Sequence, residues 1–196
     1  MKTALPANAQ QQAFTEARTF NAFTTQAVGD DTLRQLYDLY KWGPTAFNMQ
    51  PARVVFVRSD ESKAKLAAAL MEGNRAKTLA APVTAIVAMD TQFFEHLPEQ
   101  FKAMDAKPLF ANNPTMAQAA AFRNSTLQGA YLMIAARMLG LDCGAMSGFN
   151  PAAVDEAFFA DGRFKSNFLV NIGYGDASGN YPRGPRLSFE QAVSVV

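Results

Sequence analysis

The sequence predicts an α/β or α+β domain with a small sheet covered on both faces. Three observations carry this. Helical segments alternate with a few short β-branched runs. Two of those runs are apolar at consecutive positions, so neither sheet face looks to water. The longest helical pattern, Thr115 to Leu139, contains no proline and many alanines, which suits the centre of a domain or a two-fold interface.

Taken in order, the first dozen residues are Ala/Gln-rich and expected to fray. Phe14 to Phe23 has helical spacing through Phe14, Ala17, Arg18 and Asn21. Asp30 or Asp31 is the expected N-cap of a helix through Lys41, with Leu33, Leu36, Tyr37 and Tyr40 on one face. Gly43-Pro44 ends it. Arg53 to Arg58 is the first β-rich run. Ser59 or Asp60 caps the next helix, which carries Leu66, Ala69 and Leu70 on one side. A second run follows Pro82 through Val83, Ile86 and Val87. Gln92 to Pro114, with four phenylalanines and intervening charges, reads as a mobile excursion outside the core. Gly140 caps the long helix. A short helix over Pro151 to Phe159 and a third strand over Asn167 to Tyr174 complete the framework, followed by a tail.

The chain has 196 residues, which fits one domain. Hydrophobic residues make up 49% and charged residues only 18%. A monomer would struggle to cover so apolar a surface, so an oligomer is expected. The formal net charge of +1 argues against a dedicated nucleic-acid binder. The near-apolar run Leu79 to Met89 is too short to span a bilayer, and the first residues do not read as a secretory signal. A single cysteine, Cys143, excludes an internal disulfide. A cytoplasmic location is the expectation.

The missing chemistry is informative. The one histidine, His96, falls in the Phe-rich excursion and reads as a surface or lid residue. No His/Cys metal cluster can be assembled, and no nucleophile elbow or phosphate-binding loop occurs. Cys143 reads as a buried structural thiol. Any hard chemical step would therefore fall to a bound cofactor.

Polar residues do gather in a few apolar segments: Arg18-Thr-Phe-Asn21, Trp42-Gly-Pro-Thr-Ala-Phe-Asn-Met-Gln-Pro51, Asn74-Arg-Ala-Lys77, Gly144-Ala-Met-Ser-Gly-Phe149, and Asn171-Ile-Gly-Tyr-Gly175 followed by Arg183 and Arg186. In this order they resemble the nitroreductase family of FMN-dependent oxidoreductases over essentially the whole chain. Lys41-Trp-Gly-Pro-Thr45, Phe122-Arg-Asn-Ser125, Met146-Ser-Gly-Phe149, Lys165-Ser-Asn167 and Pro185-Arg-Leu-Ser-Phe189 are most similar to its malonic semialdehyde reductase branch, which acts in pyrimidine breakdown.

The resemblance implies an α+β fold with a small, mostly antiparallel sheet in a domain-swapped homodimer. FMN would sit in two clefts between the chains. Arg18 and one or both of Arg183 and Arg186 would hold its phosphate, because guanidinium forks match phosphate oxygens. Thr19 would add a hydroxyl. Lys77 would sit at the N1–C2=O edge, with Asn21 and Asn74 beside it. Thr45, Ala46, Asn48 and Gln50 would come from the partner chain. Met146, Ser147 and Gly148 would present backbone N–H groups to the ring, one toward N5. Asn21 replaces a usual basic residue and Ser147 a frequent Glu. The implied reaction is ping-pong: NAD(P)H reduces the flavin at N5, and an acceptor then takes the electrons in the same cleft. Residues 92–114 would be its lid and residues 177–196 a tail wrapping the partner. Malonic semialdehyde, reduced to 3-hydroxypropionate, is the expected acceptor, its carboxylate met by Arg123, Lys102 or Lys107. Nitroaromatics or quinones are the alternative acceptors, and a non-catalytic flavin-binding module is the alternative from another class.

Overall fold

The computed structural model describes residues 1–196. Helix α1 (Ala7–Gln10) runs into one π-helical turn, Gln11–Thr15. This start is anchored rather than frayed: Gln12 Nε2 donates to Arg137 O at 2.6 Å and Arg137 Nη1 to Ala13 O at 3.0 Å. The helix expected over 14–23 stops at Thr15. Beyond it the backbone is extended, because its N–H groups are taken by the sheet. Phe20 N donates to Cys143 O at 3.0 Å and Thr24 N to Tyr174 O at 2.8 Å. Gly144 permits the approach, since a Cβ there would collide with Phe20 O.

Helix α2 spans Asp30–Tyr40 and is N-capped by Gly29, not by an aspartate. Asp30 and Asp31 occupy its first turn, where the helix dipole favours them, and Asp30 pairs with Arg58 Nη1 at 2.7 Å. Strand β1 (Ala52–Val57) leads to α3 (Asp60–Ala67), capped by Ser59 Oγ accepting from Ser62 N at 3.2 Å. Helix α4 (Glu72–Ala80), not foreseen, precedes β2 (Val83–Asp90). The excursion holds α5 (Leu97–Gln100) and α6 (Lys107–Ala111). Helix α7 spans Pro114–Met138 and ends in Gly140, whose φ of +75° suits glycine. Then come β3 (Asp142–Met146), α8 (Pro151–Phe158), β4 (Phe164–Gly173) and α9 (Phe189–Ala192).

The class is α+β. The four strands run antiparallel in the order β1-β2-β4-β3. Strand β2 is central and buried at every residue, whereas β1, at the edge, is fully buried only at Val57. One core lies between the sheet and α2/α7, built on Leu36, Leu132, Val87 and Val170. A second covers the other face with Leu66, Ile86, Val154 and Leu169. The excursion is not outside the core: Phe93, Leu97 and Phe110 are fully buried with Met49 and Ala117 in a third cluster. Each such side chain contributes about 1.5–3 kcal/mol. The tail beyond Asn180 is exposed throughout. No helix is long and apolar enough to cross a membrane.

Candidate active site

Two groups of side chains stand out, one at each end of the sheet. The first is gathered at the start of β2. The extended segment after Thr15 lays Arg18, Thr19 and Asn21 along β3, with Thr19 bridging Cys143. Arg18 Nη2 donates to Tyr181 O, and Arg183 Nη2 returns to Ala17 O at 3.1 Å. The two guanidiniums thus clasp adjacent strands of chain. Lys77, on α4, donates to Asn21 Oδ1 at 3.3 Å. One turn earlier on the same helix, Asn74 Nδ2 donates to Gly148 O at 2.9 Å, beside a Met71 N bond of 3.0 Å to the same carbonyl. Helical spacing thus puts Asn74 and Lys77 on one face. A Cβ at Gly148 would lie 2.6 Å from Asn74 Nδ2 and 3.3 Å from Met71 Sδ, so a side chain there would push the Asn74 amide off the carbonyl.

A buried polar chain anchors this face of α4. Thr84 Oγ1 donates to Asn171 Oδ1 at 2.7 Å, Asn171 Nδ2 to Thr78 Oγ1 at 3.3 Å, and Thr78 Oγ1 to Met146 Sδ at 3.6 Å. Thr78, Thr84 and Asn171 are each 0% exposed. The chain joins α4 to β2, β4 and the end of β3, so it fixes Lys77 relative to Gly148. Of these three, sequence reasoning quoted only Asn171, in a motif and without this role; the signal for Thr78 and Thr84 is a polar residue inside an otherwise apolar run.

The second group lies at the far end of β2, where Asp90 N donates to Pro51 O at 2.8 Å. Strand β2 covers eight residues, so the two ends are roughly 20 Å apart. Here Thr45 Oγ1 accepts from Gln50 N at 3.2 Å, and Asn48 Nδ2 donates to Gln100 O at 3.1 Å. Gln50 Nε2 donates to Asn48 Oδ1 at 3.0 Å. Ala46 N is held by Asn124 Oδ1 at 2.9 Å. Gln100 Oε1 is buried nearby with no partner.

The remaining candidates scatter. Arg186 Nη1 donates to Gly184 O and Pro185 O of its own turn, both at 3.0 Å, whereas Arg183, bonded to Ala17 O, is the tail arginine beside Arg18. Lys102 Nζ is bound to Pro98 O at 2.7 Å, while Lys107 and Arg123 are exposed. His96 is exposed, with Nε2 3.9 Å from Asp90 Oδ2. Cys143 is buried, and burial pushes its thiol up to about 12. Burial also raises the Asp142 carboxyl, partly offset by the Gly175 N–H it accepts at 3.0 Å. No group of three His, Cys, Asp or Glu side chains is placed to hold a metal.

The first group suits a ligand with a dianionic phosphate and a flat, polar-edged ring. Arg18, Lys77 and Arg183 form no ion pair with any carboxylate of the chain. Each hydrogen-bonds only one oxygen in the protein, leaving further donors free. Asn74 packs directly on the bare Gly148 backbone and so holds an amide beside these cations. These residues fit FMN.

Comparison with known proteins agrees. The nitroreductase family model matches residues 15–174. A protein of Stenotrophomonas maltophilia (strain K279a), provisionally named NADH dehydrogenase/NAD(P)H nitroreductase, is 58% identical over 195 residues, covering 100% of both chains. The crystal structure of a Bacillus subtilis protein provisionally named a nitroreductase superposes with a TM-score of 0.86 at 21% identity, covering 97% of this chain and 100% of that one. A third protein, from Exiguobacterium sibiricum and solved in complex with FMN, gives a TM-score of 0.83 at 20% identity over 100% of both chains.

Proposed function

The chain belongs to the nitroreductase family, and from that premise we propose that it is an FMN-dependent NAD(P)H oxidoreductase whose acceptor is malonic semialdehyde, reduced to 3-hydroxypropionate. The observation that carries the flavin reading is the set of three cations, Arg18, Lys77 and Arg183, that pair with no carboxylate of the chain and keep donors free. Bound FMN would supply hydride uptake and release, which no side chain here provides. Arg18 and Arg183 hold the phosphate. Lys77 sets a positive charge at the ring's polar edge, favouring the reduced, anionic state. Thr19, Asn21 and Asn74 add hydrogen bonds, and Met146, Ser147 and Gly148 present backbone to the ring.

The site is completed by a second copy. Thr45, Ala46, Asn48 and Gln50 lie at the wrong end of the sheet to reach their own chain's Lys77, so they serve the partner's cleft. Exposed apolar residues support a homodimer: Tyr37 and Trp42 around the end of α2, Phe122, Leu127 and Tyr131 on α7. Tyr181, Leu187, Phe189 and Val195 are likewise uncovered, which supports a tail, residues 177–196, that wraps the partner. Within residues 92–114, pinned to the core by Phe93, Leu97 and Phe110, the exposed stretch 102–105 serves as the lid.

Of the cations considered for the substrate carboxylate, Arg123 is the choice. It is exposed, and its neighbour Asn124 holds Ala46 of the site turn. The provisional name of the S. maltophilia relative favours a second reading, in which a nitroaromatic or quinone is the acceptor. The test is anaerobic: purified protein with FMN is bleached by NADPH, then offered malonic semialdehyde, a nitrofuran or a quinone. Rapid reoxidation by the semialdehyde supports the proposal. Bleaching with reoxidation only by the other two moves the acceptor, and a flavin that neither NADPH nor NADH bleaches defeats the enzyme reading.

A further inference from the structure

The turn between α2 and β1 is held in an unfavourable conformation. Phe47, Asn48 and Gln50 have φ of 53°, 48° and 40°. Left-handed backbone costs a non-glycine residue roughly 1–2 kcal/mol. Such residues persist only where their surroundings over-determine them.

Two buried amides of α7 supply that constraint. Asn124 and Gln128 are 3% and 4% exposed. They lie four residues apart, so both face the same side of the helix. Asn124 Oδ1 accepts from Ala46 N at 2.9 Å, at the entrance of the turn. Gln128 Oε1 accepts from Ala52 N at 2.8 Å, at its exit. Asn124 Nδ2 is itself tied to Ala120 O at 2.9 Å, which fixes the amide's orientation. Neither side chain contacts Thr45, Asn48 or Gln50 through a hydrogen bond; both act on the backbone that carries them.

We propose that Asn124 and Gln128 are positioning residues for the flavin site, clamping the two ends of the turn so that Thr45, Asn48 and Gln50 meet the partner's cleft in one geometry. This rests on the FMN reading above and adds how the second half of the site is held. An unclamped turn would relax out of the left-handed region and offer those side chains as an ensemble, and each binding event would then bear the ordering cost.

The test is FMN titration of the full-length, flavin-stripped protein, followed by quenching of flavin fluorescence. Four variants are compared: Asn124→Leu and Gln128→Met delete the acceptor, while Asn124→Asp and Gln128→Glu keep it. All are assayed at about pH 5, where a buried carboxyl stays protonated and retains a donor for Ala120 O. The acceptor-deleted pair should weaken FMN binding about tenfold each, the energy of one lost hydrogen bond to the turn. The acceptor-keeping pair should stay within about threefold of the parent. The reduction potential of bound flavin should not move in any of them, because Lys77 belongs to the other half of the site. Equal FMN affinity in all four variants overturns the assignment. So does unfolding of the acceptor-deleted pair, which would place the amides' contribution in the core. A parent protein that binds no FMN defeats the flavin reading instead.

Discussion

Replacing Asp90 by Asn should loosen the site turn and the excursion together. The carboxylate is 0% exposed. It accepts from Arg53 Nη2 at 2.8 Å, from Arg163 Nε at 3.0 Å and Nη2 at 3.1 Å, and from Gln92 N at 2.9 Å. Arg163 also reaches Glu95 at 3.0 Å, and Arg53 Nη1 donates to Gln50 O at 3.0 Å. One buried charge therefore joins the end of β2, the start of the excursion and the site turn. Asparagine keeps the shape but turns an N–H donor toward guanidinium donors. Removing one partner of a buried pair costs about 3–5 kcal/mol. The arginine side chains remain 28% and 30% exposed, so water offsets part of this and the lower end, about 3 kcal/mol, applies. For a chain of this size that is a fall in Tm of roughly 6–12 °C. Thermal unfolding by circular dichroism measures it, and limited proteolysis should find new cleavage within 92–106. A Tm within about 2 °C of the parent, with no new cleavage, would refute the reasoning.

Thr84→Val removes the donor to Asn171 inside the core and leaves that amide oxygen unsatisfied, at about 1–3 kcal/mol; denaturant unfolding should show a lower midpoint with an unchanged slope. Cys143 should be inert to a disulfide reagent near pH 8 in the native protein and react fully in guanidinium, because only thiolate attacks; burial keeps it a thiol. The Asp142 carboxyl is raised by burial, so the folded state holds its proton more tightly than the unfolded chain. That contribution is present below the ordinary carboxylate value of about 4 and is lost as pH rises through the higher folded value. Asp142→Asn keeps the acceptor for Gly175 N and should therefore raise Tm near neutral pH. The gain should vanish in acid, as Tm scans across pH will show.

Elements with a self-contained pattern were legible in the sequence. Helix α7 reads from its uninterrupted alanine-rich period, and β1 and β2 from β-branched runs between turn residues. Strand β3, Asp-Cys-Gly-Ala-Met, has weak strand propensity and exists because β4 pairs with it. The extended segment after Thr15 looked helical because Phe14, Ala17 and Asn21 mimic a helical period, while the backbone bonds to Cys143 and Tyr174 are invisible in one dimension. Charges between Phe93 and Phe110 disguised a core cluster as a surface loop. At the site, Arg18, Asn21, Asn74 and Lys77 come from the resemblance; the structure links Lys77 to Asn21 and Asn74 to Gly148, while Arg18 bonds Tyr181 O of the tail. The holding role was not legible: Asn171 and Asn124 fall in quoted motifs, but a buried Asn or Gln128 shows what it holds only once its partners are known.

The central claim is that each flavin site takes Lys77 from one chain and the 45–50 turn from the other. Co-expression of two differently tagged variants tests this directly. One carries Arg18→Ala with Lys77→Met, the other Asn48→Ala with Gln50→Ala, and neither alone should bind FMN. Random pairing makes half of the dimers mixed, each with one intact cleft, so the unfractionated mixture should recover about a quarter of the parent's FMN sites and the doubly tagged dimers about half. Recovery no greater than the sum of the separate variants would contradict a shared cleft.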